Sequence, residues 1–202
     1  MTSRDEKQAA LIELAAEVAE CRRCPLCEGR MQVVFGDGNP ASQVLIVGEA
    51  PGKNEDLEGK PFVGAAGKYL NELLAIAGLA REDVFIANVL KCRPPQNRNP
   101  LPEEIEACAP YLRQQTRIID PKVIVTLGNF STKFILKTEK GITRLRGQVF
   151  QTGRFKVFPV FHPAAALYDV KKRETLEHDF EVLGTLLDRE HIDVSARCDA
   201  DD

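Results

Sequence analysis

No stretch of eighteen consecutive apolar residues occurs in the 202-residue chain, so nothing in it reads as a membrane span. An excess of positive charge is missing too. With 27 Lys and Arg against 30 Asp and Glu, the formal charge is −3, which argues against a broadly basic nucleic-acid coat and leaves room only for a local basic groove. There is no internal repeat and no low-complexity segment. The first twenty residues, MTSRDEKQAALIELAAEVAE, are acidic and amphipathic rather than built like a secretory signal, so a cytoplasmic protein is expected. Thiols stay reduced in that compartment. The six cysteines therefore do not read as a disulfide framework, and metal or cluster ligation becomes the leading alternative.

What is present fits one compact domain: 44% hydrophobic and 28% charged residues over this length suffice to bury a core. That domain is expected over residues 1–189. Residues 190–202 (EHIDVSARCDADD) lose periodicity and are expected to form a mobile tail. Four short apolar, β-branched runs, at 44–47, 84–89, 123–127 and 157–161, read as buried strands. Helical periodicity separates them at 67–77 (Leu70, Leu73, Leu74, Ala77) and 102–119 (Ile105, Cys108, Leu112). This alternation predicts an α/β fold with a parallel sheet. Amphipathic helices flank it at 5–20 and 174–189. Polar residues punctuate the strand ends: Glu49 in GEAPG, Asn88 near the end of the second run, His162 in FHP. Ligands of open parallel sheets bind outside the carboxyl ends of the strands, so a carboxylate, an amide and an imidazole are expected to converge there.

Cys21 and Cys24 form C-x2-C after the first helix, Cys92 follows the second strand, and Cys108 lies sixteen residues further on. A close pair in a reducing compartment is ligating or redox-active, whereas Cys108, at helical spacing with Ile105 and Leu112, also reads as a core cysteine. Zinc and an iron–sulfur cluster both stay open at this point. One pair meeting two separated single cysteines is easier to reconcile with a cubane than with a zinc ribbon. Cys27 is a substitute ligand, and Cys198 in the tail is expected to be unattached.

The stretches CRRC, VGEAPGKNEDLEGKPFVGAAGKYL, VFIANVLKCRPPQNRNP, CAPYL, VIVTLG and FHPAAAL, in this order and spacing, resemble the family-4 uracil-DNA glycosylases, the thermostable type with a [4Fe-4S] cluster. The likeness spans roughly residues 21–167. It implies a three-layer α/β/α fold with a central four-stranded parallel sheet, a cluster held by Cys21, Cys24, Cys92 and Cys108, and removal of uracil from single- or double-stranded DNA by a monomeric hydrolase of base excision repair. Replication or repair proteins are conceivable partners.

The resemblance also implies roles that chemistry makes intelligible. Uracil in a duplex is stacked and paired, so its nucleotide must be extruded into a pocket. Phe62, in the Gly/Pro-rich GKPFVG, would stack on the base, with Gly48 letting it approach the backbone. The Asn88 carboxamide would accept from uracil N3–H and donate to O4, a pattern cytosine cannot match. Glu55 would exclude the thymine methyl. His162 would lie over the other side of the base and donate to O2 as negative charge develops there. Glu49 would orient water or stabilise the oxocarbenium-like sugar, with Asp56 as runner-up. Lys91, Arg93 and Arg98, and Lys171, Lys172 and Arg173, would neutralise phosphates, while Leu167 or Tyr168 would fill the space left in the stack.

Two other readings compete. A nonhydrolytic iron–sulfur or zinc adaptor for nucleic acid explains the thiols and basic loops but leaves Glu49, Phe62, Asn88 and His162 without a purpose. A sister glycosylase group that becomes covalently trapped on DNA carries a histidine in an inserted loop after Lys-x-Arg, and KCRPPQNRNP has none.

Overall fold

The computed structural model describes residues 3–190 and 192. The expected tail beyond Ile192, with Cys198, lies outside them. In chain order the elements are α1 (Arg4–Ala19), α2 (Leu26–Gly29), β1 (Asp37–Gly38), β2 (Val44–Gly48), α3 (Lys53–Glu58), α4 (Ala65–Ile76), β3 (Phe85–Asn88) and α5 (Pro102–Ile119). After these come β4 (Val123–Leu127), α6 (Asn129–Leu136), α7 (Ile142–Leu145), β5 (Phe150–Thr152), β6 (Phe155–Val160), α8 (Pro163–Ala166) and α9 (Val170–Arg189). None of the described helices is long and apolar enough to cross a membrane.

Local chemistry sets several boundaries. Ser3 opens α1 with a capping box, its hydroxyl accepting from Glu6 N and its own N–H donating to Glu6 Oε2 at 2.7 Å, which satisfies two of the orphan donors of the first turn. Pro102 begins α5, where a missing N–H costs nothing. Asp169 caps α9 by accepting from Lys172 N, so this helix starts at Val170 rather than at the periodicity onset near 174.

The sheet is mixed and has six strands in the order β1-β3-β2-β4-β6-β5, two more than the four expected. The pairs β2–β3, β2–β4 and β4–β6 are parallel, while β1 and β5 add antiparallel edges. These edges, two and three residues long, are too short to show an alternating pattern, and short edges give little template for unwanted pairing.

Helices cover both faces. Val44, Ile46, Ile86, Val125 and Phe158 pack with Leu70 and Leu73 of α4 and Leu176 and Phe180 of α9, whereas Leu45, Val47, Phe85, Ile124 and Val157 pack with Leu11 of α1 and Leu112 of α5. Odd and even residues of β2 thus serve opposite layers, as strand geometry requires. Each fully buried Leu, Ile or Phe contributes about 1.5–3 kcal/mol. A third cluster, around Leu14, Val18, Leu90 and Tyr111, surrounds the cysteines between α1, α5 and the loop after β3.

Register places the site. Gly48 pairs with Asn88, Val47 with Thr126, and Leu127 with Val160, so the four parallel strands end along one edge. The chain leaves β2 first for one neighbour, β3, and later for the other, β4, and a crevice opens outside the carboxyl end at such a point.

Candidate active site

A cavity of about 330 Å³ occupies that crevice, lined among others by Glu49, Glu55, Phe62, Asn88, Arg98 and His162. Asn88 closes β3 and is 2% exposed. Its backbone carbonyl accepts from Lys91 Nζ at 2.8 Å, while its side-chain Oδ1, buried in the cavity wall, has no hydrogen-bond partner among the described residues. An unsatisfied buried acceptor costs about 1–3 kcal/mol, so an acceptor held this way suits a ligand N–H. Gly48, beside it on β2, must lack a side chain: a Cβ there would stand 2.2 Å from Asn88 Oδ1 and 2.8 Å from the Phe62 ring.

His162 follows β6 and starts α8. Its Nδ1 accepts from Ala164 N at 3.2 Å, which leaves the proton on Nε2. Burial pushes this imidazole down to about 4, against the opposing pull of the Glu55 carboxylate, so at neutral pH it is an uncharged donor. The His162 and Phe62 rings stand 5.6 Å apart at 28°. Both side chains line the cavity.

The acids differ sharply in their surroundings. Glu49, half-buried after β2, has its pKa raised by burial, and its carboxylate has no hydrogen-bond or ion-pair partner among the described residues. Glu55 accepts from Gly52 N through Oε2 and from Val63 N and Gly64 N through Oε1, at 3.0–3.1 Å, so it ties the GEAPG loop to the loop carrying Phe62. Asp56, the runner-up acid, is buried and accepts from Met31 N. It is not in the cavity wall.

The expected DNA-contacting cations also separate. Lys91 is 0% exposed, its Nζ donating to Asn88 O and to Gln115 Oε1 at 2.6 Å. A buried ammonium cannot meet a phosphate, and Lys91 leaves that list. Arg98 reaches the cavity rim but forks onto Glu104 at 2.9 and 2.6 Å, holding that carboxyl below its usual range. Arg93 Nε donates to Asn97 Oδ1. Arg173 lies over the Tyr69 ring and pairs with Glu72 and Glu177. Leu167 and Tyr168, 37% and 96% exposed, project between α8 and α9. Asn97 joins the cavity wall in the left-handed conformation, φ +54. The consecutive Gln96 and Asn97 after two prolines were its only sequence signal.

Cys21, Cys24, Cys27, Cys92 and Cys108 line a second, smaller pocket, and none of them is in a disulfide. Among the described residues no three His, Cys, Asp or Glu side chains form a group that could hold a single metal ion. The donors are all sulfur: the Arg30 guanidinium donates through Nη1 to Cys92 Sγ at 3.3 Å, and the Lys91 backbone N–H donates to Cys108 Sγ at 3.2 Å. Burial raises the pKa of Cys24 and Cys92 and pushes Cys108 up to about 11. Thiolates in this pocket need a strong positive partner.

Residues 35–183 match the family described as the Uracil DNA glycosylase superfamily. The chain is similar to the type-4 uracil-DNA glycosylase of Archaeoglobus fulgidus, at 48% identity over 185 residues, covering 88% of this chain and 93% of that one. Likeness to the enzymes of the same name from Sulfurisphaera tokodaii and Saccharolobus solfataricus is also 48%. It covers 88% and 83% of this chain and 84% and 82% of those relatives.

Proposed function

The chain belongs to the Uracil DNA glycosylase superfamily, and we propose that it excises uracil from DNA by hydrolysing the N-glycosidic bond of a nucleotide flipped into the cavity between Gly48, Phe62, Asn88 and His162. The observation that carries this reading is the orphaned Oδ1 of Asn88, buried beside the Phe62 ring. It accepts from N3–H of uracil, and the amide Nδ2 donates to O4. Cytosine, with an unprotonated N3 and an exocyclic amine, leaves both groups unmatched, and a buried mismatch of this kind supports strong discrimination. Glu55, immobilised by three backbone amides, forms the wall against a C5 methyl.

As the bond to C1′ lengthens, its electron pair moves onto the base and the sugar becomes oxocarbenium-like. His162 Nε2–H stabilises the charge arriving at O2. One donor of this kind is worth about 10²–10³ in rate. Glu49, unpartnered and desolvated, gains a counter-charge only as the sugar turns cationic, so its stabilisation is concentrated in the transition state. Water then bonds to C1′, with Glu49 placed to take its proton. Arg93, Arg98, Lys171, Lys172 and Arg173 are proposed phosphate contacts, and Leu167 with Tyr168 the wedge.

Cys21, Cys24, Cys92 and Cys108 are proposed to hold a [4Fe-4S] cluster, with Arg30 and Lys91 balancing its negative charge. Such a group cross-links the end of α1 to α5 and to the loop after β3, and hydrolysis asks no electron transfer of it. Action as a monomer in the cytoplasm belongs to the same proposal. A uracil-release assay on single- and double-stranded DNA, run beside absorbance near 400 nm, tests the reading. Asn88→Ala and His162→Ala should lose release while keeping the absorbance, and unchanged release would remove these roles.

A further inference from the structure

The ring proposed to stack on uracil sits on an unusual backbone. Phe62 has φ +53, in the left-handed region that bulky side chains rarely adopt. Something outside the residue must hold it there.

Arg81 lies in the turn before β3 and is half-buried. Its Nη2 donates to Pro61 O at 2.5 Å and its Nη1 to Phe62 O at 3.3 Å, with Asn71 Oδ1 also at 3.3 Å from Nη1. On the other side of the same loop, Glu55 accepts the Val63 and Gly64 amides. The carbonyls of residues 61 and 62 are gripped by a cation and the amides of 63 and 64 by an anion. Beneath the loop, Gly67 of α4 comes so close that a Cβ would stand 1.8 Å from Phe62 O, so the loop cannot settle towards that helix. Burial disfavours the Arg81 charge, and the nearby Asp37 carboxylate partly restores it. A half-buried guanidinium aimed at two carbonyls makes strong, directional hydrogen bonds.

We propose that Arg81 is a positioning residue for base stacking: through the Pro61 and Phe62 carbonyls it holds the Phe62 ring in place as one face of the base cavity. It acts through Phe62 and does not line the cavity itself. The proposal rests on the reading of Phe62 as the stacking ring, so its test must separate the two.

A double-mutant cycle does so. Arg81→Met, Phe62→Ala and the pair are measured by single-turnover uracil release and by inhibition with free uracil, with melting temperatures alongside. Arg81→Met is expected to slow release and weaken uracil inhibition by about tenfold, part of the ~10²-fold that a 1 Å misplacement costs. In the Phe62→Ala background the same change should have less than a twofold effect, and Arg81→Lys should recover part of the loss. Equal losses with and without the Phe62 ring would overturn the positioning role, as would no loss at all. Should Phe62→Ala alone leave release and uracil inhibition unchanged, the stacking assignment fails instead. If Arg81→Met does not fold, Arg81→Gln, which keeps an amide donor, completes the cycle under the same criteria.

Discussion

Gly48→Ala inserts a single methyl between the proposed base reader and the proposed stacking ring. The new Cβ would lie 2.2 Å from Asn88 Oδ1 and 2.8 Å from Phe62 Cε2 and Cζ, against an ordinary contact of about 3.5–4.0 Å. The carboxamide must therefore retreat by about 1 Å or more, and its backbone, paired in register with Gly48 itself, has little freedom to follow. Misplacing a reacting partner by about 1 Å costs about 10²-fold in rate, equivalent to about 2.7 kcal/mol of barrier. Overpacking a buried site costs about 1–3 kcal/mol of stability, or a Tm drop of about 2–12 °C in a domain of this size. Single-turnover release from a uracil-containing oligonucleotide reads the first quantity and thermal melting the second, with absorbance near 400 nm as a check on the cysteine site. Wild-type release from a folded Gly48→Ala protein would refute the reasoning, because the cavity could not then depend on the contact between this strand end, Asn88 and Phe62.

Glu49→Gln should abolish most release yet raise Tm at pH 7. The folded pKa of Glu49 is raised by burial, so its charge penalises the folded state above that pKa, and the difference should close as pH falls; melting curves from pH 7 to 4 check this. His162, depressed to about 4, should give the rate no inflection near 6.5. Its contribution to stability, present above about 6.5, is lost as pH falls toward about 4, and His162→Asn should flatten that part of the Tm profile. Lys91→Met should lower Tm, by leaving Asn88 O and Gln115 Oε1 short of a donor at about 1–3 kcal/mol each, without changing the salt dependence of DNA binding. Arg93→Ala should reduce that salt slope by about 1. Cys108→Ala should remove the absorbance near 400 nm, and a full-strength spectrum in that variant would refute its assignment as a ligand.

Some of this protein is written locally. A five-residue run such as Val44–Gly48, buried throughout, can hardly be anything but an interior strand, and periodicity marks α4 and α5 because burying one face of a helix needs only neighbours three and four apart. Polar residues that interrupt strand ends carry the same local signal, so Glu49, Asn88 and His162 could be named from the chain alone and do line one cavity. The edges β1 and β5 escaped notice because two or three residues hold too little pattern to read. Other features were decided only by distant partners. Lys91 reads as a surface cation until Gln115, on another element, meets its ammonium in the interior. Glu55 reads as a loop acid until the amides of residues 52, 63 and 64 converge on it. The His162 ring comes within 5.6 Å of the Phe62 ring although the two residues are a hundred positions apart. Hydrophobic period is a property of neighbours along the chain, whereas the state of a buried charge or ring is set by whatever the fold brings against it, and that is why the first was legible and the second was not.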